Sequence, residues 1–167
     1  MAVTAELKYF AWRLVQDMVE IPSRNHRGGK DKSCKILIYN GRLNEMEVCE
    51  AYGDLEHTLV KCEASRMKFE ILTSLLDSFL GKMVTVDDLL FLSLHHIDGK
   101  KQRLSLWITV HALHWIWMHQ DSGVMEMMLY LKKELFWHVT LERWFCGKRQ
   151  MMDMMKRMQD IIQTLDI

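Results

Sequence analysis

Apolar residues recur at helical spacing along most of this chain. In residues 5–19, Leu7, Phe10, Ala11, Leu14, Val15 and Met18 share one face, and Thr4 is placed to cap the start. Pro22, the only proline, closes that helix. A polar, basic segment follows from Ser23 to Lys35, with Gly28-Gly29 inside it. Lys35 to Tyr39 reads as a short β-type run closed by the turn signal Asn40-Gly41, giving a lone strand or a hairpin. Residues 44–56 read as irregular and acidic.

Helical periodicity then returns. Leu59, Val60, Phe69, Leu72, Leu76 and Phe79 predict a long helix over 56–80, stopped by Gly81. Thr85-x-x-Asp88 has capping-box form and predicts a short helix over 86–95. Residues 101–119 are apolar nearly all round, as in a central buried helix. Asp121-Ser122-Gly123 breaks the pattern before helices expected at 124–146 and 148–165. The last carries Met151, Met154, Met155, Met158, Ile162 and Leu165 on one side. The expectation is a mainly α, compact domain of about five to six helices, with one short β segment and an incomplete zinc-knuckle loop. Its parts are a 1–81 knuckle-like region and an 82–167 helical region, packed as one continuous domain.

With 167 residues, nearly half of them apolar, the chain can bury a sizeable core. Basic and acidic residues number 22 each, so the formal charge is zero. Nucleic-acid affinity rests mainly on phosphate neutralisation, so any such role must come from a local patch. One such patch is Arg24, His26, Arg27, Lys30, Lys32 and Lys35; a plain solvated loop is the competing reading. Lys100, Lys101 and Arg103 form a smaller one. The N-terminus lacks a secretory signal and no Asn-x-Ser/Thr sequon occurs, so Cys34, Cys49, Cys62 and Cys146 are expected reduced, inside the cell, in nucleus or cytoplasm. No stretch is apolar and long enough for a bilayer, so no membrane partner is expected.

Catalytic signatures are absent: there is no G-x-S-x-G, no phosphate-cradling glycine loop and no H-E-x-x-H, and no enzyme is expected. His111, His114 and His119 do not share one helix face and read as packing or exposed residues; His95-His96 read as surface. Trp107, Trp115, Trp117, Trp137 and Trp144 offer base-stacking platforms or, more simply, core. The methionine stripe offers a partner groove or, more simply, a face packed on its own domain. One metal-like spacing stands out: Cys49-x7-His57-x4-Cys62. Cys34 is the candidate fourth ligand, ahead of Glu45 and Glu47. Ordinary buried cysteines are the competing reading.

These residues resemble the zinc-binding region that follows the reverse transcriptase of LINE-type (non-LTR) retrotransposons. The resemblance is carried by ELKYFAWRLVQDMVEIPSR, with Pro22-Ser23-Arg24, and by CEAYGDLEHTLVKC at 49–62. Weaker echoes are Ser78-Phe79-Leu80-Gly81 and Ile116-Trp117. It covers about residues 6–145 and implies a non-catalytic C-terminal piece of a retrotransposon polyprotein, truncated or host-captured, that helps hold RNA. The family's knuckle is Cys-x2-Cys-x7-His-x4-Cys, and here Met46 stands where the first Cys belongs. After Ile116-Trp117, where a basic residue is common in the family, the chain reads Met118-His119-Gln120. The implied zinc site is therefore vestigial, and the implied partner is RNA or single-stranded nucleic acid. The alternative expectation is a metal-free protein-interaction module using the Met/Trp-rich C-terminal helices.

Overall fold

The computed structural model describes residues 4–21, 32–40, 44–94, 99–141 and 148–165. Helix α1, Ala5–Val15, begins where the Thr4 hydroxyl accepts the Leu7 N–H at 3.3 Å. It buries Leu7, Phe10 and Leu14, three of the six residues of its expected stripe. Arg13 folds back to the Met18 carbonyl and the Glu20 carboxylate, fastening the chain that leaves the helix.

Strands β1 (Leu37–Asn40) and β2 (Glu45–Val48) pair antiparallel, with Leu37 opposite Val48 and Asn40 opposite Glu45. The pairing continues beyond both strands: Ser33 bridges Tyr52, and the Cys34 N–H donates to the Ala51 carbonyl at 2.7 Å. The acidic segment expected to be irregular thus contains a strand. Its alternation, Glu45-Met46-Glu47-Val48, is a strand pattern with both faces exposed, so no buried apolar row marks it.

The expected helix over 56–80 is two pieces. Residues 57–61 form a π-helical turn, the chain breaks at Cys62, and α2 runs Glu63–Leu80. Gly81 at φ +72° ends α2 in the left-handed region, with its N–H donating to the Asp77 carbonyl. Helix α3, Val86–Leu90, opens on the expected box, in which Thr85 and Asp88 cap each other's backbone N–H groups.

Helix α4, Gly99–Met118, is the central element and packs against α1, α2 and α5. Leu104, Ile108, Leu113 and Ile116 are fully buried on it. His111 is buried, with Nδ1 3.0 Å from the Tyr130 hydroxyl, while His119 is exposed. The chain leaves α4 through His119 and Gln120, whose carbonyls need donors. Lys68, buried on α2, supplies them: its ammonium donates to the His119 and Gln120 carbonyls at 3.0 and 2.9 Å. Burial lowers the Lys68 pKa, opposed by Asp121, Glu126 and Cys62.

Helices α5 (Val124–Leu141) and α6 (Lys148–Leu165) pack on each other. Met151, Met154, Met158 and Ile162 are buried there, so the methionine stripe is spent on the chain's own core. Trp107 is buried, and Trp115 and Trp117 are half-buried against the core. Trp144 and the side chain of Trp137 lie outside the described residues, as do His95, His96 and Cys146. Among the described residues no helix is long and apolar enough to cross a membrane. The mainly α fold class agrees with the sequence expectation.

Candidate metal centre

A second, smaller cluster of buried residues sits apart from the main core and consists of Cys34, Cys49 and Cys62, flanked by Ile36, Ile38 and Ala64. Three local structures build it. The extended hairpin places Cys34 opposite Ala51, two positions from Cys49 along the same strand. Side chains alternate across a sheet, so the Cys34 and Cys49 thiols occupy one face as diagonal neighbours. Ile36 and Ile38 share that face and cover the thiols.

The π-helical turn solves the spacing of the other two residues. In an α-helix, residues five apart differ by about 140° around the axis, too far to meet at one point. In a π turn the i→i+5 hydrogen bond brings them nearly into line. Here the Cys62 N–H donates to the His57 carbonyl at 2.7 Å, closing that wider ring. Asp54 fixes the start of the turn, accepting the His57 N–H at 2.7 Å. The Ser65 hydroxyl ties its far side by donating to the Thr58 carbonyl at 2.7 Å.

The outcome is one constellation: a ligand atom from each of Cys34, Cys49, His57 and Cys62, all within 4.8 Å of one another. Cys34 Sγ and Cys62 Sγ are 3.9 Å apart, and Cys49 Sγ is 3.4 Å from His57 Nε2. Ligands of a tetrahedral zinc ion sit about 3.8 Å from each other, given Zn–S near 2.3 Å. The S···S separation is close to that value, the S···N separation is shorter, as the shorter Zn–N bond requires, and the whole set stays within 4.8 Å.

Burial sets the protonation of the thiols. Burial pushes the Cys34 thiol up to about 12, against a hydrogen bond from the Ile36 backbone N–H; the neighbouring Cys62 and Cys49 add to the rise. Burial also raises the Cys62 thiol, against the Ala64 backbone N–H, with Cys49 contributing. Several thiolates cannot coexist here without a compensating charge, which a cation bound among them would supply. The two N–H donors at sulfur remain useful once the thiolates form.

All four sequence candidates therefore converge, with Cys34 beside the other three. Met46 does not approach the site: it is 59% exposed on β2, opposite Tyr39. Glu45 and Glu47 are exposed on the same strand. The fourth donor near the trio comes from the paired strand rather than from three residues upstream. Asp54 was not singled out from sequence, although Asp54-x-x-His57 has the spacing of a helix cap.

The expected nucleic-acid contacts are only partly placed. Lys32 and Lys35 are exposed on the strand that carries Cys34, and Arg24, Arg27 and Lys30 lie outside the described residues. The hairpin register puts Lys35 across from Glu50. Lys101 of the smaller patch donates to the Phe79 carbonyl at the end of α2. Comparisons with known protein families, curated proteins and solved structures return no match. The fold and site define a class: a mainly helical domain with a buried three-cysteine, one-histidine cluster.

Proposed function

We propose that this chain is a non-catalytic binding domain stapled by one structural zinc ion, held by Cys34, Cys49, His57 and Cys62. The observation that carries the reading is the convergence of these four donors within 4.8 Å from a strand, the paired strand, a turn and a helix start. Three thiolates and an imidazole form a closed zinc set, with no coordination position left for water or substrate. The metal's role is to pin the hairpin to the start of α2, and its binding free energy becomes folding free energy.

We further propose that the pinned strand presents the basic segment Arg24, Arg27, Lys30, Lys32 and Lys35 to RNA or single-stranded nucleic acid. Support comes from the run of cations leading directly to the ligand Cys34 and from the LINE-type resemblance of 8–24 and 49–62, on which retrotransposon descent is likewise proposed. The test is elemental analysis of the purified protein, followed by RNA binding of zinc-loaded and zinc-stripped protein across a salt series. One zinc per chain and affinity that falls with salt are expected. Absence of zinc overturns the metal reading. Absence of binding at low salt, or of a salt slope, overturns the nucleic-acid reading.

A further inference from the structure

The three cysteines of the buried cluster form no disulfide. They are not equivalent. Cys34 and Cys62 are both fully buried, come from the hairpin and the start of α2, and hold their sulfurs 3.9 Å apart. Cys49 is 9% exposed, and its sulfur lies 3.4 Å from the His57 imidazole. Cys34 and Cys49 are diagonal neighbours in the hairpin. Such neighbours stand about 7–8 Å apart, and a disulfide spans no more than about 7 Å between Cα atoms unless the backbone moves. The hairpin's two cysteines therefore cannot join without opening the hairpin, and a disulfide formed within the intact cluster includes Cys62.

Sulfurs this close can give up two electrons as well as hold a metal. We propose that a peroxide exchanges the zinc for a Cys34–Cys62 disulfide, so that the hairpin stays fastened to α2 while Cys49 and His57 are released. The proposal rests on the zinc reading, in which the three sulfurs are held as thiolates.

With hydrogen peroxide as oxidant, one thiolate attacks an oxygen, the O–O bond breaks, hydroxide leaves and the sulfur becomes a sulfenic acid. A second thiolate attacks that sulfur, an S–S bond forms, the S–O bond breaks and a second hydroxide leaves. Two thiolates have then lost two electrons in all, and one peroxide has become two hydroxides. Oxidation that starts at Cys34 or Cys62 closes their bond directly. Oxidation that starts at Cys49 closes a bond to Cys62, and the Cys34 thiolate, 3.9 Å from Cys62, displaces Cys49 as a thiolate. Solvent access sets the end point of that exchange. The uncharged disulfide takes the two dry positions, and the sulfur left over is the one with some solvent contact and an imidazole beside it. Two of the four donors are spent, and the ion is given up.

The test treats the zinc-loaded full chain, and its Cys146→Ser variant, with a small excess of hydrogen peroxide. The variant removes the fourth cysteine from exchange. A chromogenic chelator follows zinc release, and peptide mapping after thiol blocking locates the disulfide. One zinc released per chain and a Cys34–Cys62 link are expected in both proteins. The oxidised protein should unfold at a higher temperature than the reduced, zinc-stripped protein, because the link restricts the unfolded chain. Dithiothreitol and zinc should restore the starting state. Absence of zinc before peroxide is added overturns the zinc reading and the exchange with it. Zinc retained under peroxide, a main link other than Cys34–Cys62, or an oxygen left on a cluster sulfur without any link overturns the exchange alone and leaves the zinc reading standing.

Discussion

Cys34 Sγ lies 3.9 Å from Cys62 Sγ, although 28 residues separate them, and both thiols are fully buried. One belongs to a hairpin strand and the other to the residue that starts α2. The small cluster around the thiols joins these elements, and Ile36, Ile38 and Ala64 within it are only partly buried. The hairpin is short, and an isolated hairpin is marginal in water. Its attachment therefore depends on whatever holds the thiols together.

Cys34→Ser should accordingly release metal and loosen the hairpin, while Met46→Cys should change neither. Zinc binding to such sites supplies on the order of 10 kcal/mol, so chelation should lower the unfolding temperature sharply and more than any single core truncation. Elemental analysis and thermal unfolding with and without chelator check this. Full zinc content in Cys34→Ser would remove Cys34 from the ligand set.

Much of the helical fold was legible because burial follows the 3.6-residue period: Leu7, Phe10, Leu14, Phe69, Leu72 and Leu76 all face the core as spacing requires. Cys49, His57 and Cys62 were legible as a spacing. What spacing could not supply was the register that carries Cys34 to them, because β2 buries neither face and its glutamates disguise it. The π turn was hidden for another reason: Leu59 and Val60 continue the apolar stripe of α2, and one widened turn leaves no mark in composition. The role of Lys68 was hidden too, because its acceptors lie 51 and 52 residues away.

His114 makes the α1–α4 contact sensitive to acid. It packs edge-on against Phe10 at 5.1 Å between ring centres, with Nε2 3.5 Å from the Glu6 carboxylate. Burial lowers its pKa below the ordinary 6.5, opposed by Glu6 and assisted by His119. The unfolded chain thus takes up the proton more readily than the folded one. Stability should fall as pH drops through about 6.5 and level off below the folded value. His114→Phe should flatten this part of the profile, and Glu6→Gln should deepen it. Denaturant unfolding of all three proteins in excess zinc, between pH 8 and pH 5, makes acid release of metal common to each. Identical profiles would remove His114 from the account.

The two faces of α6 should respond unequally to truncation. Met154→Ala removes a fully buried side chain packed toward α5 and should cost about 2–4 kcal/mol. Met152→Ala, at a side chain 56% exposed, should stay within about 0.5 kcal/mol. Urea unfolding measures both, and equal costs would mean that the stripe does not face the core.

Lys68→Met keeps the apolar stem and deletes the ammonium. The His119 and Gln120 carbonyls then lose a charged donor, at a cost of about 3 kcal/mol. Lys68→Arg should not rescue it, because a planar guanidinium does not place donors as the compact ammonium does. Equilibrium unfolding distinguishes these outcomes from a purely packing role, in which Met would be tolerated.

Asp54 offers the most direct probe of how the proposed metal centre is positioned, because it touches the backbone of the proposed ligand His57 rather than the site itself. Its carboxylate accepts the His57 N–H at 2.7 Å, and its carbonyl accepts the Thr58 N–H at 2.9 Å. Only the first bond is lost in Asp54→Ala, and the turn carrying His57 then lacks its cap. Partners that orient ligands are worth about 10- to 100-fold in metal affinity, whereas a lost cap costs only about 1 kcal/mol of stability. The variant should therefore retain its helical content and bind zinc at unchanged stoichiometry, with affinity reduced at the lower end of that range. Asp54→Asn keeps an acceptor oxygen and should restore most of the affinity. Competition titration with a zinc chelator, alongside circular dichroism of the zinc-loaded proteins, separates the two effects. Equal zinc affinity in Asp54→Ala and the parent would mean that the π turn holds His57 in place without its cap.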